Sequence, residues 1–214
     1  MTATRLIVFA RRPELGRVKS RLAATLGAAR ALAAYRRLLE ATIALAEASG
    51  ADRLELRFAD DGASQDARDT PAPPEAWNLP SVLAARGWNV ARQRGADLGE
   101  RMHEALSQAL SMGERPVLIG SDCPSLSPSD IAAAFAALDR ADAVFAPTED
   151  GGYALVGLSA PAWALFESIP WSTTRVADRT RQRAAKAGLR VEWLRTVWDV
   201  DVEADLLRWE AQGG

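Results

Sequence analysis

A short apolar run that ends in glycine, serine and aspartate is the feature that most constrains the fold of this chain. Residues 116–119 have the length and β-branched content of a buried strand, and Asp122 follows shortly after them. Ser127 and Pro128 then match a helix N-cap and first helical position. Because ligands of open α/β sheets bind beyond the carboxyl ends of the strands, Asp122 is predicted to face a ligand.

Length and composition indicate one globular domain that covers residues 1–214. Apolar residues make up 48% of the chain and charged residues 25%, and this length supports one sizeable core. A formal net charge of −2 does not favour a nucleic-acid partner. The single cysteine, Cys123, excludes an intramolecular disulfide, and no apolar run reaches the roughly 20 residues of a membrane span. We therefore expect a cytoplasmic protein.

Apolar and amphipathic segments alternate along the chain. Apolar runs predict strands at residues 6–10, 53–59, 88–93, 116–119, 141–146, 153–158 and 189–194. Periodic apolar residues predict helices at residues 28–48, 100–111, 161–168 and 175–187, after Ser127 and near the C-terminus. This alternation is typical of an α/β protein whose mainly parallel sheet has helices on both faces, with strand 153–158 as the expected antiparallel element. Residues 60–80 are predicted to form a surface loop.

A basic loop follows the first strand. Residues 11–22 carry five basic side chains, and Gly16 lets the backbone approach a ligand closely. Arginine offers bidentate contacts to phosphate and Lys19 offers a compact ammonium group, so a polyphosphate fits this chemistry. The alternative is a solvated basic turn. The spacing matches neither a P-loop nor a Gly-x-Gly-x-x-Gly dinucleotide motif.

Aspartates occur at two predicted strand ends that belong to the same edge of the sheet. Asp122 follows the strand at 116–119, and Asp199 and Asp201 follow the last strand. Two carboxylates with phosphate oxygens and water form the usual coordination of a catalytic magnesium ion. The alternative is that each aspartate is a helix cap, with Asp199 or Asp201 capping the last helix.

Two further short motifs carry exposed polar and aromatic groups. Residues 150–153 place two glycines between an acid and a tyrosine, which also fits a plain hairpin turn. Residues 171–173 place a tryptophan beside two hydroxyl groups, which also fits a core tryptophan before a helix cap. Cys123 is interpreted as a small buried residue.

Six of these motifs resemble, in order, one bacterial family. They comprise residues 9–22, 97–102, 120–124, 150–153, 171–173 and 199–201. The chain is similar to the radical-SAM/selenodomain-associated transferases, which are classed as glycosyltransferases. The resemblance implies the GT-A fold of nucleotide-diphospho-sugar transferases, a three-layer α/β/α sandwich with a mainly parallel mixed sheet. That superfamily also contains nucleotidyltransferases.

The resemblance also implies roles for individual residues. Lys19 and Asp122 would be catalytic, and Asp122 and Asp201 would hold the metal. The nucleotide-binding set would be Ala10, Arg11, Gly16, Lys19, Arg21, Gln93, Gly95, Asp97 and Gly99. The acceptor side would be formed by Asp150, Gly151, Gly152, Tyr153, Trp171, Ser172 and Thr173. The chain departs from the family pattern at Ser20 and Val202, where the family usually has threonine.

These motifs lead to an expected function and two alternatives. We expect a Mg²⁺- or Mn²⁺-dependent glycosyltransferase that uses a nucleotide-sugar donor and a small-molecule acceptor. The first alternative is a nucleotidyltransferase that joins a nucleoside triphosphate to a phosphorylated acceptor and releases pyrophosphate. The second is a non-catalytic nucleotide-binding module. The seven tryptophans and the apolar C-terminal stretch fit either a homodimer face or the core.

Overall fold

The computed structural model describes residues 2–59 and 78–214. Its strands are β1 (Thr4–Arg11), β2 (Arg53–Ala59), β3 (Asn89–Arg92), β4 (Arg115–Gly120), β5 (Ala143–Pro147), β6 (Tyr153–Leu158) and β7 (Val191–Trp193). Its helices are α1 (Ser20–Leu26), α2 (Ala28–Ala48), α3 (Leu79–Ala85), α4 (Leu98–Ser111), α5 (Pro128–Ala137), α6 (Val176–Lys186) and α7 (Glu203–Glu210). No helix of the described residues is both long and apolar enough to cross a membrane.

The strands form one mixed sheet in the order β3-β2-β1-β4-β6-β5-β7. Strand β6 runs antiparallel to β4 and β5, and the other paired strands are parallel. This confirms the expected mainly parallel sheet and its antiparallel strand at 153–158. Because β1 and β4 are parallel neighbours, with Phe9 beside Gly120, the loops that follow them leave the sheet at the same edge.

Strand β1 is buried on both faces, which explains its continuous apolar run. Leu6 and Val8 pack in one apolar cluster with Tyr35 and Leu39 of α2 and residues of α5. Ile7 and Phe9 pack in a second cluster with residues of α4 and Ala184 of α6. The sheet therefore has a core on each face, as a three-layer α/β/α sandwich requires.

Charged side chains are buried within this sheet as well. Glu55 and Arg57 of β2 and Arg5 of β1 are each no more than 4% exposed. Arg5 forms ion pairs with Glu55 and Glu114, and Arg57 with Glu55 and Glu104. Because each buried charge has an oppositely charged partner, the network avoids the cost of an unpaired charge in the interior.

Three predicted segments differ from the structure. Residues 161–168 do not form an α-helix, because only a 3₁₀ turn at Trp163–Leu165 forms and Ser168 adopts a positive φ before Pro170. Helix α1 was assigned to the basic loop, but it buries Leu22 in a cluster with α2 and α7. Helix α3 begins inside the predicted loop at 60–80, and residues 60–77 of that loop lie outside the described part of the chain.

Candidate functional site

A cavity of about 680 Å³ opens beyond the carboxyl ends of β1 and β4, where α/β sheets bind their ligands. The basic loop, the start of α4, the start of β6 and the segment before α6 all contribute to its wall. Most of the site residues predicted from the sequence line it. These are Ala10, Arg11, Lys19, Arg21, Gln93, Asp97, Asp122, Tyr153, Trp171, Ser172 and Asp201.

Lys19 and Asp122 form the central ion pair of the cavity. Lys19 is the N-cap residue of α1 and adopts a left-handed backbone conformation with φ 50°. Its Nζ donates to Asp122 Oδ2 at 2.8 Å, and its side chain is only 7% exposed. Burial lowers the pKa of Lys19, but the charge and hydrogen bond of Asp122, with the charges of Asp201 and Asp199, outweigh burial and raise it. Lys19 is therefore a buried, protonated cation.

A second ion pair joins the start of α1 to the end of the sheet. Arg21 Nη1 donates to Asp201 Oδ2, and Asp201 also lines the cavity. Two parallel pairs, Lys19 with Asp122 and Arg21 with Asp201, thus hold the basic loop against the acidic residues. The two predicted constellations, one basic and one acidic, lie together in the structure.

The segment that carries Asp199 and Asp201 is attached to the end of β4 by hydrogen bonds. Val200 N donates to Asp122 O at 2.9 Å. Ser125 Oγ donates to Trp198 O at 2.7 Å and accepts from Trp198 N at 2.8 Å. This attachment explains how aspartates nearly 80 positions apart in sequence meet at one edge of the sheet.

Asp199 is a strongly perturbed carboxyl group of the site. Burial raises its pKa to about 6, and the nearby charges of Asp122 and Asp150 contribute to the rise. Neither Asp199 nor Asp201 caps α7, so the helix-cap interpretation is wrong. The cap is supplied by Asp205, whose Oδ2 accepts from the backbone N–H groups of Asp201 and Val202.

Seven predicted site residues are outside the cavity wall as the structure describes it. They are Gly16, Gly95, Gly99, Asp150, Gly151, Gly152 and Thr173. Asp150 closes its own turn by accepting from Gly152 N at 3.0 Å, which agrees with the hairpin interpretation. Gly151 has φ 89°, and a Cβ there would lie 2.1 Å from Thr174 O. Gly151 therefore has a structural reason to be present.

Two residues at the start of α4 have local structural tasks. Asp97 caps the helix by accepting from Glu100 N at 2.8 Å, although it also lines the cavity. Gly95 has φ 139°, and a Cβ there would lie 2.7 Å from Arg101 N. The side-chain amide of Gln93 donates to Ala10 O of β1 at 3.2 Å and to Arg57 O of β2 at 3.0 Å. The turn before α4 is thereby fixed against the end of β1.

Tyr35, a buried residue of α2, supports the basic loop. Its hydroxyl accepts from Arg11 N at 2.7 Å, donates to Arg11 O at 3.0 Å and lies 3.3 Å from Ser121 Oγ. It also lines the cavity. A polar tip in an otherwise apolar helix face was the only sequence signal for this role.

Cys123 is a buried structural residue, as expected. Its side chain is 3% exposed and its Sγ lies 3.1 Å from Trp198 O. Burial raises the pKa of the thiol to about 12. The thiolate that nucleophilic chemistry requires is therefore disfavoured.

The donor set at this site suits a hard divalent cation. Asp122 and Asp201 offer carboxylate oxygens at the cavity, the ligand type that Mg²⁺ and Mn²⁺ prefer. Within residues 2–59 and 78–214, no group of three or more His, Cys, Asp or Glu side chains is arranged to hold a metal by itself. Asp122 and Asp201 would hold such a cation together with oxygen ligands from a bound molecule or water, and the cation would neutralise negative charge there.

Solved structures similar to this one include named transferases. A protein of Desulfovibrio desulfuricans G20, provisionally named a nucleotide-diphospho-sugar transferase, is 30% identical, with 94% of this chain and 84% of that chain covered and a TM-score of 0.78. The inositol-1-phosphate CTP transferase of T. maritima is 16% identical over 96% and 92% of the two chains, with a TM-score of 0.60. Rv0371c of Mycobacterium tuberculosis H37Rv, solved with manganese, is 18% identical over 97% of both chains, with a TM-score of 0.54.

These likenesses confirm the expected nucleotide-diphospho-sugar transferase fold. No curated protein matches the sequence. The family model of DUF2064, "Uncharacterized protein conserved in bacteria", matches residues 41–173, which is more than half of the chain. The 30% identity to the Desulfovibrio protein extends over nearly the whole chain. The chain therefore belongs to the DUF2064 family.

Proposed function

We propose that the protein is a divalent-metal-dependent glycosyltransferase that transfers a sugar from a nucleotide-sugar donor to a small-molecule acceptor. The observation that carries this proposal is the pair of ion pairs, Lys19 with Asp122 and Arg21 with Asp201, at one wall of a single cavity. A nucleoside diphosphate needs cations around its phosphates and carboxylates to hold its metal, and this cavity offers both.

The proposed donor would exchange one set of charge partners for another. Asp122 and Asp201 would hold Mg²⁺ or Mn²⁺, and the metal, when bound, supplies charge neutralisation to the departing diphosphate. Lys19 and Arg21 would then turn from the carboxylates to phosphate oxygens. The acceptor forms a bond to the anomeric carbon and loses a proton to solvent, while the bond from that carbon to the diphosphate breaks.

The residues that line the cavity favour a nucleotide sugar over a nucleotide alone. From the charged wall the lining continues to Tyr153, Trp171 and Ser172, where aromatic rings and a hydroxyl group replace the ionic groups. Aromatic faces and hydroxyl groups suit a sugar better than a further phosphate. The Desulfovibrio protein, which is 30% identical to this chain, carries a nucleotide-diphospho-sugar transferase name, and this also supports the proposal.

A nucleotidyltransferase is the second candidate, and the burial of Lys19 beside Asp122 favours it. A buried ammonium group next to a metal-binding carboxylate is well placed to stabilise the charge on a triphosphate as pyrophosphate leaves. The two candidates share the nucleotide and metal sites and differ in the bond that breaks. Their products distinguish them.

The test compares products from two sets of donors. The protein is incubated with Mn²⁺ or Mg²⁺ and either nucleotide sugars or nucleoside triphosphates, and released nucleoside diphosphate and pyrophosphate are measured. Release of diphosphate from a nucleotide sugar, lost in Asp122→Asn and kept in the exposed control Asp139→Asn, supports glycosyl transfer. Release of pyrophosphate instead supports the second candidate. No turnover together with metal-dependent nucleotide binding supports a non-catalytic module.

The subfamily, domain organisation, location and oligomeric state that we expected from the sequence also belong to this proposal. We propose that the chain is one of the radical-SAM/selenodomain-associated transferases, because six motifs match that family in order and each of the six contributes a residue to the cavity wall. We propose that residues 1–214 form one domain, because the two apolar clusters share the central strand β1. We also propose a cytoplasmic location, which fits a chain whose single cysteine cannot form an intramolecular disulfide. A homodimer remains a proposal that sedimentation of the purified protein tests.

A further inference from the structure

The hydroxyl group of Tyr153 is buried and has no hydrogen-bond partner among residues 2–59 and 78–214. Tyr153 is the first residue of β6 and lines the cavity. Within the described residues, no donor or acceptor pairs with its Oη. The chain has only one other tyrosine, Tyr35, and that hydroxyl bonds both the N–H and the carbonyl of Arg11. A buried hydroxyl normally has a partner, so the state of Tyr153 calls for an explanation.

The surroundings of this hydroxyl are aromatic. The ring of Tyr153 packs edge-on against Phe145 at 4.8 Å between centroids and against Trp171 at 6.2 Å. Burial raises the pKa of Tyr153, so the group stays protonated and can donate a hydrogen bond. The aromatic neighbours form no hydrogen bond with it. The hydroxyl group is therefore an unused donor in an apolar environment.

The part of the cavity around Tyr153 is apolar, whereas the part around Lys19 and Asp122 is ionic. Phe9, Met102, Leu118 and Val156 also line the cavity, and they belong to the same apolar cluster as Tyr153. A group that binds there must present mostly carbon surface with a few hydroxyl groups. A pyranose ring has this character, because its C–H faces pack on aromatic rings while its hydroxyls take hydrogen bonds.

Trp171, the second aromatic neighbour of Tyr153, lies in a segment with unusual backbone conformation. It lies between Ser168 and Ser172, which adopt φ 57° and 63° although they are not glycine. Left-handed backbone at such residues stores strain, and strain of this kind clusters at ligand clamps and switch regions. By contrast, Phe145 is fully buried within the sheet. A change of backbone conformation at the two serines would move Trp171 and leave the sheet intact.

We propose that Tyr153 is a specificity-determining residue whose hydroxyl group donates a hydrogen bond to the sugar of the nucleotide-sugar donor, and that Trp171 covers this hydroxyl until the sugar binds. The proposal rests on the proposed function, and it places the donor sugar beside Tyr153, where the family resemblance implied the acceptor. It gives a role to the Tyr153 hydroxyl, which adds nothing to the aromatic packing that a phenylalanine ring would also provide.

The experiment compares Tyr153→Phe with Tyr35→Phe as the matched control. Thermal unfolding is measured for both variants and the wild type, first without ligand. It is then repeated with Mn²⁺ and matched probe pairs: UDP and UDP-glucose, GDP and GDP-mannose, ADP and ADP-glucose, and dTDP and dTDP-glucose. A ligand that binds the native state raises the melting temperature, so the difference within a pair reports the sugar alone.

We expect Tyr153→Phe to melt at or above the wild-type temperature without ligand, whereas Tyr35→Phe, which loses satisfied hydrogen bonds, melts below it. For at least one pair, the wild type should bind the nucleotide sugar more tightly than the diphosphate. Tyr153→Phe should keep the diphosphate affinity and bind that sugar about three- to tenfold more weakly, as the loss of one hydrogen bond predicts.

Four results would overturn the inference. If Tyr153→Phe melts well below the wild type without ligand, the hydroxyl already has a partner. If diphosphates raise the melting temperature but no nucleotide sugar raises it further, the sugar does not reach this hydroxyl. The same follows if the extra rise from the sugar persists in Tyr153→Phe. In both cases the nucleotide site of the proposed function still stands. If neither diphosphates nor nucleotide sugars bind, the proposed function fails as well.

Discussion

The ring of Trp171 lies directly over Gly99, so that a Cβ on Gly99 would come within 2.7 Å of Trp171 Cζ2. Gly99 is in the first turn of α4, where alanine would suit the helix better. The close contact therefore explains the glycine. It also links the start of α4 to the segment that covers Tyr153.

Gly99→Ala should displace Trp171 and lower the free energy of unfolding by about 1–3 kcal/mol, the usual cost of overpacking. A double-mutant cycle with Trp171→Ala separates the clash from the helix propensity. In the Trp171→Ala background, the same Gly99→Ala change should cost less, because the ring is gone and only the contact with Phe166 O at 3.0 Å is left. Equal costs in both backgrounds, measured by chemical denaturation, would show that Trp171 is not the group that meets the new methyl.

Lys19→Met should change metal binding and nucleotide binding in opposite directions. In the structure Lys19 neutralises Asp122 at 2.8 Å, so its removal leaves a carboxylate free to attract a cation. We expect Mn²⁺ alone to bind about tenfold more tightly, since a nearby positive charge is worth about 1–2 kcal/mol in a partly exposed site. Nucleoside diphosphate should bind more weakly. Calorimetric titration measures both affinities.

The only other lysine supplies the control for this experiment. Lys186 is exposed at the end of α6, and Lys186→Met makes the same change in net charge. It should leave both affinities unchanged. Unchanged or weaker Mn²⁺ binding in Lys19→Met would mean that Asp122 does not contribute to the metal site.

The sequence predicted the position of this site because general rules fixed it. Continuous apolar runs identified β1 and β4, and the rule on strand ends then placed Lys19 and Asp122 at the same edge. The amphipathic pattern of α2 gave the observed bounds, Ala28–Ala48. Such features depend on local residue types, which a single sequence contains.

Tertiary relationships could not be predicted in this way. The hydrogen bonds of Ser125 to Trp198 and the closeness of Gly99 to Trp171 join residues more than 70 positions apart. From the sequence we assigned no role to Arg5 or Glu55, yet these two residues form a buried ion pair within the sheet. No local pattern contains these pairings, because they arise only when the sheet forms.

Ser125→Ala tests how the acidic segment is held. It removes both hydrogen bonds to the backbone of Trp198 and should lower the free energy of unfolding by about 1–3 kcal/mol. It should also weaken Mn²⁺ binding, because Asp201 loses its anchor. Ser129→Ala is the control, since Ser129 is exposed and bonds only Ser127 Oγ among the described residues. If Ser125→Ala behaves like the control, the backbone bond from Val200 to Asp122 suffices to hold the segment.

The single histidine gives the chain a defined dependence of stability on pH. His103 of α4 packs against the rings of Trp163 and Phe166 at 5.2 and 5.8 Å. Burial lowers its pKa below the ordinary value of 6.5. In the window between the lowered pKa and 6.5 an unfolded His103 binds more protons than a folded one, so the contribution of this residue to stability rises with pH there. The contribution is complete above pH 6.5 and is lost as the pH falls.

Proton NMR of the single imidazole measures the pKa of His103 in the folded protein without ambiguity of assignment. Chemical denaturation between pH 5 and 8 then measures the free energy of unfolding. His103→Gln should remove the part of its dependence on pH that this residue contributes just below pH 6.5. A folded-state pKa at or above 6.5 would contradict the prediction. So would an unchanged slope in His103→Gln, because the proton linkage would then belong to another group.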